Sequence, residues 1–209
     1  MDLFLMRHGQ TEWNQLGRFN SSTDLPLNAE GREDVRKVAT HMTKLVIERV
    51  VSSPSIRSID SAKMVCESLN SGLEIEVWEE LREVDFGDFE GYSKDELQTD
   101  AVAWAALKDW FSPYRTGPTP PNSETWEEAT ARAKTVIGML SDGGGATLVV
   151  SHGYFLRLII VQALELTPPQ AMRRFHFDNS NVSALSNADG YWRLLFHNTR
   201  YFPNNSGIV

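Results

Sequence analysis

The sequence is poor in cysteine and has no long apolar run. Cys66 is the only cysteine among 209 residues, so no disulfide can form within the chain, and a reducing cytoplasm is the expected location. The apolar stretch 156–166 is interrupted by Gln162 and Glu165 and is far too short for a membrane span. The N-terminal apolar run ends at Met6, so we expect neither a targeting peptide nor a membrane partner.

Positive charge is also scarce. The chain has 20 Lys and Arg residues against 28 Asp and Glu residues, which gives a formal net charge of -8. A nucleic-acid-binding protein needs a basic face, so we expect no nucleic-acid partner. A few converging arginines can still make a local anion pocket, so an anionic small molecule is not excluded as a substrate. The chain is 41% hydrophobic, and its length fits a single domain over residues 1–209.

Strand-like and helix-like segments alternate along the chain. Residues 2–6, 49–52, 74–78, 146–150, 182–186 and 191–196 are predicted strands, and helices are predicted over about 28–45, 54–69, 125–140 and after Gly153. This alternation predicts an α/β fold, a three-layer sandwich with a mainly parallel central sheet and helices on both faces. The last two strands are joined by a turn at 187–190, and they are expected to add an antiparallel edge.

The segment 85–122 differs from the rest. Ser93 and Glu96 form a capping-box pattern, and the segment ends in a proline-rich stretch from Pro113 to Pro121. Loops and short helices are predicted here, and we expect this segment to form a helical cap over the active site.

Three polar clusters follow predicted strands. Residues 7–9 follow the first strand, residues 52–57 the second, and residues 151–153 the fourth. Ligands of open α/β sheets bind outside the carboxyl ends of the strands, so these clusters are expected to meet in one crevice. Two histidines, two arginines and the starts of two helices would make an anion-binding site there.

These clusters belong to a longer series of motifs. The motifs are RHGQTEWN at 7–14, DLPL at 24–27, NAEG at 28–31, SSPSIR at 52–57, SA at 61–62, LRE at 81–83, FGDFEG at 86–91 and VVSHG at 149–153. Together they resemble the histidine phosphatase superfamily in its phosphoglycerate-mutase-like branch. The motifs stand in family order over roughly three quarters of the chain, and their combination is far more specific than any single one.

The resemblance and the chemistry of the side chains imply roles for four of these residues. His8 would be the nucleophile that carries a phosphohistidine, with its other ring nitrogen donating to a carbonyl. Arg7 and Arg57 would hold the non-bridging phosphate oxygens. His152, protonated near the phosphate, would be a third cationic donor. A buried histidine without a function is the alternative for His152.

Glu83 is the candidate general acid and base. It would protonate the leaving oxygen and then deprotonate the water that hydrolyses the phosphohistidine. This role requires a carboxylic acid that is protonated near neutral pH, so we expect burial to raise its pKa. The alternative is a surface glutamate in the acidic run 79–85.

The resemblance further implies three phosphate-binding positions. Asn14 corresponds to a side-chain amide that contacts phosphate, and Gly153 starts a helix whose N–H groups point at the same place. Asn20 stands where the family often has Gln or Thr, and Ser21 where it has Gly, which leaves the role of Asn20 open. No cofactor is expected. No metal site is expected either, because the arginines would repel a divalent cation.

The sequence leaves the substrate and some alternatives open. The cap has only dispersed cations, Lys94, Lys108 and Arg115, among the aromatic residues Trp104, Trp110, Phe111 and Tyr114. Such a lining favours a small phosphomonoester with an apolar or planar body over a bisphosphate, although the aromatic residues could equally pack between helices. A phosphatase therefore ranks above a mutase-type phosphotransferase, and both rank above a protein phosphatase, a regulatory module or a metallohydrolase. A homodimer could form through the terminal hairpin.

Overall fold

Six β-strands form one mixed central sheet in the computed structural model, which describes residues 1–110, 119–167 and 171–201. The strands are β1 (Asp2–Arg7), β2 (Arg49–Ser52), β3 (Ile75–Val77), β4 (Thr147–Ser151), β5 (Val182–Asn187) and β6 (Trp192–Thr199). Their order is β3-β2-β4-β1-β5-β6. The first four strands in this order are parallel, whereas β5 and β6 are antiparallel to their neighbours. The predicted antiparallel edge is therefore confirmed.

Seven α-helices lie in the described part of the chain. They are α1 (Glu12–Gln15), α2 (Ala29–Met42), α3 (Ile56–Leu69), α4 (Lys94–Gln98), α5 (Ala101–Trp110), α6 (Trp126–Asp142) and α7 (Gly153–Ala163). The predicted capping boxes form at the starts of α4 and α6, where each N-cap hydroxyl and the glutamate three residues later bond to one another's backbone. None of the helices in the described ranges could cross a membrane, because none is both long and apolar enough.

Helix α3 begins later than the sequence predicts. Pro54 was expected in its first turn, but Ser55 is the N-cap and Ile56 the first helical residue. The N-cap hydroxyl makes no capping hydrogen bond. Instead the Asp24 carboxylate accepts a 2.8 Å hydrogen bond from the N–H of Ile56, so a distant loop supplies the cap.

Alternating side chains of the strands divide the core into two layers. On β1, Leu3 and Leu5 pack with the buried residues of α6 and α7, whereas Phe4 and Met6 pack with those of α2 and α3. The two-residue period of a strand sends successive side chains to opposite faces of the sheet. The sheet is therefore covered by helices on both faces, and the predicted three-layer α/β architecture is confirmed.

The expected cap is described from Asp85 to Trp110 and from 119 onward. The proline-rich exit from 113 to about 118, together with Phe111, Tyr114 and Arg115, lies outside the described residues. Trp110 is fully buried, with its ring 5.3 Å from Trp126 on α6 and 5.5 Å from Phe86. These contacts anchor α5 to α6, so the described part of this segment shares the core of the domain.

Candidate active site

The three polar clusters meet at the carboxyl ends of the parallel strands. Arg7 at the end of β1 pairs in register with Ser151 at the end of β4, and the N–H of His8 donates to the Ser151 carbonyl at 3.0 Å. The imidazole rings of His8 and His152 consequently lie with their centroids 5.0 Å apart. The sheet thus brings together two histidines that are distant in the sequence.

The His8 ring is buried and held in one orientation. Its Nδ1 lies 2.7 Å from the carbonyl oxygen of Gly9, as the sequence analysis expected for the nitrogen that does not react. With the proton on Nδ1, Nε2 carries the lone pair. Burial lowers the pKa of His8 well below its usual value, and the charges of Arg57 and Arg7 lower it further. The ring is therefore neutral at physiological pH, which is the form a nucleophile needs.

A polar segment before β5 grips the backbone around His8, and the sequence analysis missed it. The N–H of Ser180 donates to the carbonyls of Arg7 and His8 at 3.1 and 3.2 Å, and Asn179 Nδ2 donates to the His8 carbonyl at 3.1 Å. The available signal was the run Asp178-Asn179-Ser180-Asn181 directly before a strand. Its contacts depend on β5 pairing antiparallel with β1, which the sequence does not specify.

Arg7 is held from the opposite side of the ring. Its Nη1 donates to the carbonyl of Phe177 at 2.6 Å, while its Nε is buried without a hydrogen-bond partner among the described residues. A Cβ added to Gly153 would lie 3.3 Å from this Nε. A side chain at position 153 would therefore crowd the guanidinium, which explains glycine at the start of α7.

Arg57 is buried against a loop that another part of the chain fixes. Its Nη1 and Nη2 donate to the carbonyls of Thr23 and Ser21, each at 3.0 Å. The Glu90 carboxylate in turn accepts bonds from the N–H groups of Ser21 and Thr23 at 2.8 and 2.9 Å. Glu90 belongs to the FGDFEG motif, to which the sequence analysis gave no role. It holds the loop that orients Arg57.

His152 lies opposite His8 and is almost fully buried. Its Nε2 is 2.7 Å from the hydroxyl of Ser53, and its Nδ1 has no hydrogen-bond partner in the described ranges. Burial lowers the pKa of His152 well below its usual value, and Arg57, His8 and Arg7 add to this effect. The protein groups by themselves favour the neutral ring. The protonated form that the sequence analysis expected requires the opposing charge of a phosphate.

Glu83 is buried at the start of α7, so the alternative of an exposed surface glutamate is wrong. Its Oε1 accepts from the N–H groups of Val84 and Phe155, both at 2.9 Å, and its Oε2 from Tyr154 at 3.1 Å. Burial raises the pKa of Glu83, and the three N–H donors and Arg7 oppose this shift without cancelling it. The expected direction of the pKa shift is confirmed.

The two predicted asparagines have different surroundings. Asn14 Oδ1 accepts from the N–H of Thr11 at 3.1 Å and from Asn179 Nδ2 at 3.0 Å. This arrangement leaves the Asn14 amide nitrogen as the group that can donate to an anion. Asn20 Nδ2 donates to the Thr23 carbonyl at 3.2 Å, so its amide also supports the loop beside Arg57.

Two cavities adjoin the site, one on each side of Glu83. The first has a volume of about 160 Å³ and contains His8, Arg7, both predicted asparagines and Gly153. The second has a volume of about 290 Å³ and is lined by His152 and by several serines and carboxylates. Because the Glu83 carboxyl borders both cavities, it can reach a substrate whose phosphate lies beside either imidazole.

The lining of the smaller cavity differs from what the sequence suggested for the cap. Its cationic members beyond Arg7 are Arg18, Lys94 and Arg157, and its aromatic members are Phe19, Phe86 and Tyr154. Trp104 and Trp110 do not line either cavity and pack in the core cluster instead. For these two residues, the packing alternative left open by the sequence is the one that the structure supports.

A metal site was not expected here. Among the described residues, no group of three or more His, Cys, Asp or Glu side chains has the geometry to hold a metal ion. The carboxylate and imidazoles of the site are accompanied by two guanidinium groups, whose charge opposes a divalent cation. Metal independence of the activity stays a prediction.

The chain matches known proteins over nearly its whole length. Residues 3–200 match the model of the histidine phosphatase superfamily (branch 1). The protein named "Probable phosphoglycerate mutase GpmB" from Enterobacter sp. (strain 638) is 28% identical over 195 residues, which cover 92% of this chain and 87% of the relative.

Solved structures give the same result for the fold. The α-ribazole phosphatase from Shigella flexneri has a TM-score of 0.85 and 26% identity, and the match covers 97% of this chain and 98% of that one. A mycobacterial glucosyl-3-phosphoglycerate phosphatase has a TM-score of 0.83 and 25% identity, with 94% and 98% covered. The similarity thus includes both phosphatases and a protein named as a mutase.

Proposed function

Because this chain belongs to the histidine phosphatase superfamily (branch 1), we propose that it hydrolyses small phosphomonoesters through a phosphohistidine on His8. The observation that carries the proposal is the state of this ring. It is buried and neutral, its Nδ1 faces the Gly9 carbonyl, and Arg7 and Arg57 are the charges that act on it most strongly. A neutral imidazole beside two guanidinium groups supports nucleophilic attack on a bound phosphate.

In the first step, His8 Nε2 attacks phosphorus and the bond from phosphorus to the ester oxygen breaks. The proton of the Glu83 carboxyl moves to the leaving oxygen, so the products are an alcohol and phospho-His8. Arg7, Arg57, His152 and the Asn14 amide stabilise the charge on the equatorial oxygens. The raised pKa of Glu83 supports this step, because it keeps the acid protonated nearer to neutral pH.

In the second step, a water attacks the phosphorus of phospho-His8. The Glu83 carboxylate takes a proton from this water, the bond from phosphorus to Nε2 breaks, and inorganic phosphate leaves. His8 and Glu83 then return to their starting protonation states. The cycle needs no metal and no cofactor, and we propose that the enzyme works without either.

A mutase-type phosphotransfer is the second candidate. The observation in its favour is the group of Arg18, Lys94 and Arg157 around the smaller cavity, where the substrate's second anionic group could bind. In such a reaction a second hydroxyl, instead of water, accepts the phosphoryl group from phospho-His8. Assaying both reactions on the same substrates, with a bisphosphate as phosphoryl donor, ranks the two candidates.

We further propose that the enzyme works in the cytoplasm on a small-molecule substrate, without nucleic-acid or membrane partners. The single cysteine and the net charge of -8 support these points. A homodimer through the terminal hairpin stays a prediction from the sequence.

The decisive experiment traps the proposed intermediate. Wild-type protein is mixed with a ³²P-labelled phosphomonoester, quenched in base, and digested to locate the label. We expect acid-labile, base-stable label on the peptide that contains His8, and hydrolysis that persists in the presence of a chelator. His8→Ala should fold, bind no label and show no turnover. Label that is stable in acid, or label that persists in His8→Ala, would contradict the proposal.

A further inference from the structure

The loop that carries Glu83 is held by a buried ion pair next to helix α6. Arg132 lies on α6 and Glu124 lies just before the helix, and both side chains are only 8% exposed. Nε and Nη2 of Arg132 donate to the two carboxylate oxygens of Glu124 at 2.9 and 2.6 Å. This two-pronged pairing is specific to the planar guanidinium, and a lysine cannot reproduce it.

The remaining donors of Arg132 reach the chain that leads into Glu83. Nη1 donates to the carbonyls of Glu80 and Arg82 at 2.7 and 2.8 Å, and Nη2 to the carbonyl of Glu83 at 3.4 Å. The five N–H donors of the guanidinium therefore have five acceptors. One side chain fixes three carbonyls of the segment 80–83.

The same pair contacts the chain beyond Glu83 and the helix that binds its carboxyl. Glu124 Oε2 accepts from the N–H of Asp85 at 3.3 Å, and the N–H of Glu124 donates to the Asp85 carbonyl at 3.1 Å. The guanidinium carbon of Arg132 lies 4.0 Å from the ring centroid of Phe155, whose N–H donates to Glu83. The pair thus fixes both flanks of Glu83 and touches the helix end that receives its carboxyl.

From these contacts we propose that Arg132 and Glu124 are positioning residues, which hold the Glu83 carboxyl where it can exchange a proton with the substrate. The inference rests on the proposed role of Glu83 as general acid and base. Neither Arg132 nor Glu124 lines either cavity beside the site, so both act only through Glu83. Proton transfer depends on hydrogen-bond geometry, and a displacement of about 1 Å can cost roughly 100-fold in rate.

The test replaces Arg132 with lysine, which keeps the charge and removes the fork. It compares an alkyl phosphate, whose leaving group needs protonation, with an aryl phosphate, whose leaving group needs little. We expect Arg132→Lys to lower kcat/KM for the alkyl phosphate about 100-fold. The aryl phosphate should be affected far less, and affinity for vanadate should stay at the wild-type value because Arg7 and Arg57 are untouched.

A matched control is available in Arg49→Lys. Arg49 also makes a two-pronged ion pair, with Glu76 at 2.6 and 2.7 Å, and its guanidinium also lies over an aromatic ring, that of Trp78 at 5.0 Å. It lies at the start of β2, whereas the site lies at the carboxyl end of that strand. This control should leave the ratio of the two rates unchanged.

The Glu83→Gln background separates positioning from general destabilisation. A residue that acts through Glu83 has no carboxyl left to position there, so Arg132→Lys should add no further selective loss on the alkyl phosphate. A further selective loss, or equal slowing of both substrates together with weaker vanadate binding, would overturn the inference. If Glu83→Gln itself shows no preference between the substrates, the proposed acid role fails instead.

Thermal unfolding of each variant shows whether the fold is intact. Should Arg132→Lys not fold, Glu124→Gln replaces it, because it keeps the shape of the side chain and removes the charge that pairs with Arg132. The same selective loss on the alkyl phosphate is expected. Wild-type rates on both substrates from folded Glu124→Gln would overturn the inference.

Discussion

The two halves of the candidate site are built in different ways. The cationic half, with Arg7, His8, Arg57 and His152, lies at or just beyond the ends of three adjacent parallel strands and in the first turn of α3. The carboxyl half consists of Glu83, in a loop that α6 and α7 hold through side-chain and backbone bonds. The strand ladder fixes the first half, whereas long-range tertiary contacts fix the second.

Burial acts on both halves and has opposite consequences for charge. It lowers the pKa of His8 and of His152, with the guanidinium groups adding to the effect, and it raises the pKa of Glu83. Each shift favours the uncharged form of the group. A neutral imidazole and a protonated carboxyl are the forms that the first chemical step requires. The same physical cause therefore prepares the nucleophile and the acid.

The largest difference between the halves should appear when Glu83 is replaced. General acid catalysis contributes about 10²- to 10⁴-fold, so Glu83→Gln should lower kcat/KM for an alkyl phosphate by that order. An aryl phosphate with a good leaving group should lose far less, because its oxygen leaves without a proton. Steady-state rates on the two substrates measure this difference.

The isosteric amide keeps the size of the side chain, so stability serves as the check on Glu83→Gln. Its thermal unfolding midpoint should stay close to that of the wild type. Equal slowing of the alkyl and aryl substrates would contradict the acid role and would leave Glu83 as a cap of α7 only.

Replacing Arg57 should produce the opposite pattern. Each charge-assisted hydrogen bond contributes about 1.5–3 kcal/mol, so Arg57→Ala should weaken vanadate inhibition roughly 10- to 100-fold. Hydrolysis of alkyl and aryl phosphates should fall by similar factors, because the guanidinium acts on the phosphoryl oxygens and not on the leaving group.

Inhibition constants for vanadate compare Arg57→Ala with a control on the protein surface. Arg32→Ala removes a guanidinium that pairs with Asp60 at 3.3 Å, far from the phosphate-binding residues in its contacts. The control should inhibit like the wild type. If Arg57→Ala also retained wild-type affinity for vanadate, the assignment of Arg57 to phosphate binding would be wrong.

The sequence predicted the cationic half well because its residues lie next to strongly apolar strands. His8 and His152 each follow such a strand, and the motifs around them have a fixed order. Pattern and topology together were sufficient to bring them to one edge of the sheet. The buried position of Glu83 was expected from the family resemblance, since its acidic neighbours alone favoured a surface residue.

The supports of the site could not be predicted in this way. Arg132 stands in an amphipathic helix, where a charged residue is usually solvated, and its five acceptors come from segments outside that helix. Asn179 depends on the pairing of β5 with β1. Trp110 gave no indication of whether it faces substrate or core. Such contacts follow from how whole elements pack, and no local pattern encodes them.

The pH dependence of kcat/KM should separate the two halves with the smallest change in rate. Activity requires neutral His8, whose pKa is lowered, so the acid limb should lie below the usual histidine value of 6.5. It also requires protonated Glu83, whose pKa is raised, so the basic limb should lie above the usual 4.5. The rate should therefore fall as pH drops through the first pKa and as pH rises through the second.

Glu83→Gln shows which limb belongs to which half. With an alkyl phosphate, and after correction for the ionisation of the substrate near pH 6, the variant should lose the basic limb and keep the acid limb. The glutamine cannot titrate, whereas the environment of His8 still contains Arg7 and Arg57. A basic limb that persists unchanged in Glu83→Gln would mean that another group supplies the proton, and the division of labour between the two halves would have to be redrawn.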